Sequence, residues 1–104
     1  MKIQLFLVTL FFTLSHLLNA GDWSGWRGDD RTDVSGETGL LQSWPEGGPK
    51  KVWASKEAGL GYSGFSIANG TLYTMGAFGD EERLLAFDAG SGKKIWELKT
   101  GDLL

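Results

Sequence analysis

Cysteine is absent from the chain, and this excludes disulfides, thiolate metal sites and a thiol nucleophile. The single histidine, His16, sits in the apolar opening segment, so everything after it lacks an imidazole base or ligand. Proline occurs only at 45 and 49, where it frames one hard turn. A basic excess is also missing. Lys and Arg total 10 against 13 Asp and Glu, a formal net charge of −3, which disfavours nucleic acid and anionic lipid as partners. Beyond Ile3–Leu18 there is no long hydrophobic run, and no stretch keeps a helical period of 3.6.

Glycine and tryptophan are abundant instead. All 16 glycines and all 5 tryptophans lie after Ala20. Glycine at that density among aromatics predicts short strands and tight turns, an all-β chain. The opening segment has a different character. Met1-Lys2 supplies a positive start, Ile3 to Leu18 is largely apolar, and Asn19-Ala20-Gly21-Asp22 turns abruptly polar. This layout predicts a signal peptide over 1–20, cut after Ala20, although Leu18 is larger than the residue preferred at that place before a cut. A membrane anchor is the competing reading. Gln4, Thr9, Thr13, Ser15 and His16 interrupt the run, however, and a span needs about 20 apolar residues. The expectation is export to the periplasm or outside the cell, with no integral membrane segment left after cleavage.

The most ordered stretch runs from Leu84 to Trp96. Leu84, Leu85, Ala86 and Phe87 form one apolar run, Asp88-Ala-Gly-Ser-Gly92 is a turn cluster, and Ile95-Trp96 ends a second run. That is a β-hairpin signature. Gly92 permits positive φ, and Asp88 and Ser91 can bond backbone N–H groups across the bend. Upstream, Gly59-Leu-Gly-Tyr-Ser-Gly64 satisfies the glycine spacing of a dinucleotide-binding turn, with Asp80 and Glu81 at a suitable distance. The context rejects it. A helix must follow such a turn, whereas Phe65-Ser-Ile-Ala, Asn69-Gly70 and Thr71-Leu-Tyr-Thr-Met read as strand, two-residue turn, strand. Four strands are expected, at 62–68, 71–77, 83–88 and 93–98, with Gly79 to Glu82 as a charged hairpin tip. Such a unit exposes two faces and two edges, so stability in isolation should be marginal.

Ala86, Asp88, Ser91, Gly92 and Trp96 together fill a pattern similar to the tryptophan-docking motif of pyrroloquinoline-quinone (PQQ)-like β-propellers. Ser91 stands where threonine is more usual. The resemblance implies that residues 62–98 form one four-stranded antiparallel blade whose Trp96 packs on a neighbouring blade. A second likeness lies in the extended N-terminal arm, 21–49. Trp23, Trp26, Arg27, Gly28, Gly39 to Leu41, Trp44, Pro45 and Gly47 to Pro49 resemble the opening of secreted proteins of that type. Trp23, Trp26 and Trp44 are expected to anchor the arm on a surface that buries them, with Arg27 stacked on a ring or paired with Asp29 or Asp30. Residues 50–55 would be the outer strand of a ring-closing blade, and 99–104 the start of a linker to the next blade. The chain then reads as the N-terminal part of an incomplete propeller, with the remaining blades as its partners and protein partners besides.

Two functions follow from the resemblance. One is a binding or scaffolding propeller, like outer-membrane assembly proteins of this type, although the lipid-attachment cysteine of that group is missing. The other is a quinoprotein dehydrogenase acting on alcohols or sugars, with PQQ and calcium held by the complete protein. No catalytic residue, cofactor ligand or metal ligand is assignable in this stretch. Asp29, Asp30 and Asp33 read as a solvated acidic loop, because Arg31 interrupts a calcium-binding spacing. Asn69-Gly70-Thr71 is a formal glycosylation sequon, read here as a turn, and Gly90 to Lys93 lacks the first glycine and the helix of a phosphate loop.

Overall fold

The computed structural model describes residues 21–104, and the expected signal peptide lies outside the described residues. The fold is all-β. Strands β1 (Phe65–Ala68), β2 (Thr71–Phe78), β3 (Glu81–Asp88) and β4 (Lys94–Asp102) form one antiparallel sheet in the order β1-β2-β3-β4. Among the described residues no helix is long and apolar enough to cross a membrane.

Tight turns set this order. Asn69 and Gly70 both take positive φ, 49° and 75°, the backbone that matches the twist of a two-residue hairpin. Gly79 and Asp80 join β2 to β3 through another two-residue turn, in which the glycine alone takes positive φ, 66°.

Cross-strand partners share a face, and this sorts the side chains. Tyr73, Ala86 and Trp96 stand in one row, beside the row of Met75, Leu84 and Leu98. The opposite face carries Ile67, Leu72 and Phe87 in one row, with Leu85, Arg83 and Phe78 along β2 and β3. Central β3 holds the core. Leu85 and Ala86 are fully buried and Phe87 nearly so. Ala86 is covered because the rings of Tyr73 and Trp96 flank it, 6.1 Å apart between centroids.

The second face is covered by the chain that leads into β1. The Trp53 ring lies against Gly92, Glu57 approaches Lys94 at 3.7 Å, and the Ala58 backbone lies on Gly76. A Cβ on Gly76 would stand 1.8 Å from the Ala58 carbonyl oxygen, so only glycine admits this crossing. Leu60 then exchanges two backbone hydrogen bonds with Ala77, and residues 61–64 make a detour before β1 begins.

Several expected boundaries shift for identifiable reasons. The first strand starts at Phe65 rather than 62, because Gly61 to Gly64 face only Met75 and Gly76 across the edge and cannot stay in register. Glu81 and Glu82 belong to β3 instead of a hairpin tip. Arg83 and Lys99 both pair with Glu81, at 3.0 and 3.2 Å, which makes a carboxylate favourable in the sheet. β4 continues to Asp102, so residues 99–102 are strand and not linker. Lys50 to Ser55 joins no ladder of this sheet.

The candidate docking site

The Asp88–Gly92 turn is the best-defined polar feature. The Asp88 carboxylate accepts from the backbone N–H and the hydroxyl of Ser91, each at 2.8 Å. Backbone bonds from Gly92 to the Asp88 carbonyl and from Asp88 to the Lys93 carbonyl, both 2.8 Å, close the loop. The Ser91 bonds hold the Asp88 carboxyl below its ordinary pKa, since they favour the charged form. Gly92 has φ 72°, open to glycine without strain. The Ala89 amide donates to the Gly70 carbonyl at 2.9 Å and ties this turn to the first hairpin.

The ring that docks on this turn is Trp53. Its indole N–H donates to the Ala89 carbonyl at 2.9 Å, and a Cβ on Gly92 would come 2.4 Å from the ring. Trp53 lies within the stretch 50–55 expected to be an outer strand, and not among the expected anchors. A signal for it exists: Lys50-Lys51-Val52-Trp53 is matched by Lys93-Lys94-Ile95-Trp96, and both follow a glycine-rich turn.

Trp96 lies on the open face, 41% exposed, touching Tyr73. It borders an apolar surface of Tyr73, Met75, Leu84 and Leu98, and the last is 60% exposed. Trp26 reaches the rim of the same surface, where it lines an open hollow of about 350 Å³ with Ser66, Tyr73, Met75 and Leu84.

The arm is held differently from the expectation. Trp23 exchanges two backbone hydrogen bonds of 2.9 Å with Ile67, adding a single residue to the outer edge of β1. Asp22 accepts from the Asn69 amide at 2.9 Å. Trp23 is half-buried and packs against Gly28, but Trp26 and Trp44 are exposed by 76% and 70%. The expected burial of those two is therefore corrected. The arm is fixed by Asp22 and by the backbone pairing of Trp23, and the large apolar side chains beyond them stay mostly in water. Arg27 stacks over the Trp26 ring at 5.5 Å and pairs with Asp33 at 2.7 Å, rather than with Asp29 or Asp30.

The arm carboxylates have local partners. Asp29 accepts from Ser24, and Asp30 accepts from the Thr32 hydroxyl and amide, which lower its pKa. Glu37 contacts the Gly21 amide. Among the described residues no group of three or more potential ligands is placed to hold a metal ion. Asp29 and Asp30 are thus turned onto donors within the arm itself. Comparison with protein-family models, curated proteins and solved structures gives no match to this chain.

Proposed function

We propose that this chain is a repeat unit of an exported PQQ-like β-propeller, working as a binding or scaffolding module without a catalytic site of its own. The observation that carries this reading is the seat of Trp53. An indole N–H on the Ala89 carbonyl and a ring on Gly92 make a receptor from the turn formed by Asp88 and Ser91. The Lys-Lys-Val-Trp segment that fills it is echoed by Lys-Lys-Ile-Trp ending at Trp96. A neighbouring unit with the same turn would offer Trp96 the same acceptor and the same glycine. The open row of Tyr73, Ala86 and Trp96 is the apolar face such stacking covers, because repeats of this kind bury their core against neighbours.

The test is the intact mass and N-terminal sequence of the protein isolated from its source. A mature chain that begins at Gly21 and carries further Asp-x-x-Ser/Thr-Gly turns supports the reading. A mature product that ends at Leu104, sediments as a monomer and retains residues 1–20 overturns it.

A further inference from the structure

We infer that β4 is an edge through which two copies of this chain join, antiparallel and centred on Leu98, into one continuous sheet. The two edges of the sheet differ. Along β1 the outer side is taken at Ile67 by Trp23, and the detour at 61–64 breaks the line. Along β4, Ile95 to Thr100 are all exposed, and among the described residues no strand lies beyond. An unpaired edge with a regular centre is a template for another strand.

The charges on β4 select the partner. Lys94, Glu97, Lys99 and Asp102 all project on the covered face, as their partners Phe87, Leu85, Arg83 and Glu81 show. They are spaced symmetrically about Leu98, with opposite signs at equal distances. Placed antiparallel on its own copy, with Leu98 opposite Leu98, the strand sets Glu97 against Lys99 twice and Lys94 against Asp102 twice. Opposite charges facing across strands favour pairing, and like charges disfavour it. A one-residue slip would turn each charge onto the wrong face. On the other face the same register brings the two Leu98 side chains together and extends the apolar surface of Trp96 and Leu84.

Within the chain Glu97 already pairs with Arg83 and Lys94, both at 2.9 Å, and Lys99 with Glu81 at 3.2 Å and Asp102 at 2.7 Å. In the two-fold register the same four β4 charges meet opposite charge from the second copy, so pairing across the edge extends this network or exchanges its partners without leaving a like-charge contact. Ile95 and Thr100 are the extra residues of two β-bulges that flank the regular segment Trp96–Lys99. They confine the contact to that short stretch and its charged ends.

Sedimentation of the full-length protein over a range of concentrations is the test, with two charge variants. Glu97→Lys and Lys99→Glu each place like charges across the two-fold axis and should weaken self-association roughly tenfold. Mixed together, the two variants should associate with each other and restore the dimer, because positions 97 and 99 then face opposite charge again across the axis. Hydrogen exchange of the unmodified protein provides a second reading, with β4 amides gaining protection as concentration rises. A monomer at every concentration overturns the inference. So does a dimer that both single variants leave unchanged, or a mixture no tighter than its components.

Discussion

Trp53 and Ala89, 36 residues apart, are joined by a 2.9 Å hydrogen bond from the indole N–H to the backbone carbonyl. This bond fastens the segment that covers one face of the sheet to the turn that closes the last hairpin. The segment itself makes few hydrogen bonds, so this anchor and the fit on Gly76 hold it in place.

Trp53→Ala should therefore cost about 3 kcal/mol, the usual range for losing a docked aromatic. Trp53→Phe, which keeps a ring but loses the N–H, should cost about 1 kcal/mol. Trp96→Ala should cost about 1 kcal/mol or less in this unit, since much of that ring is already in water. Urea unfolding of the three variants checks the order. A Trp96 variant less stable than the Trp53 variant would contradict it.

Gly92→Ala places a methyl group into the Trp53 ring and asks an L-residue to hold φ 72°. The expected loss is about 2 kcal/mol or more, the sum of left-handed strain and overpacking. Trp53 emission should shift to the red as its ring leaves the turn. Unchanged emission would show that the ring does not rest on Gly92.

Gly76→Ala should detach the crossing segment, because the Ala58 carbonyl is backbone and cannot swing aside. Stability should fall by about 1–3 kcal/mol. Proteolysis should then cut after Lys56 faster than in the parent chain. Equal cutting rates would contradict the close approach.

Acid should loosen the sheet through its carboxylates. Glu81 is held below its ordinary pKa first by its hydrogen bond to Arg83, then by Lys99, and Glu97 first by Lys94. Asp88 is lowered by Ser91. A folded-state pKa below the unfolded value gives stability that is fully present above the unfolded value and is lost as pH falls through the folded one. For the two glutamates the decline begins below about pH 4.5. Glu81→Gln should flatten the fall of Tm over that acid range; an unaltered slope would remove Glu81 from the cause.

Much of this architecture is legible in the residues. Asn69-Gly70 announces its hairpin, and Asp88, Ser91 and Gly92 make the bonds and the positive φ that their chemistry suggests. Non-local terms are what the chain hides. Glu81 and Glu82 look like a solvated tip until Lys99, far along the chain, arrives beside Glu81. Tyr62 looks like a strand residue, yet the Leu60 bridge to Ala77 forces it out of register. Trp23, Trp26, Trp44 and Trp53 share a residue type, and composition alone does not rank them. Trp53 docks because the coverage of Gly76 carries it back to the turn, while Trp26 and Trp44 have no such tether.

The detour at 61–64 bears on how far any assembly can grow. A sheet with two equivalent open edges can add strands at both ends and lengthen into a fibre. Here one edge is interrupted and partly occupied, so a contact made at β4 consumes the one regular edge among the described residues of each copy. Association through that edge is self-limiting: it stops at a pair, and the irregular first strand acts as the chain terminator.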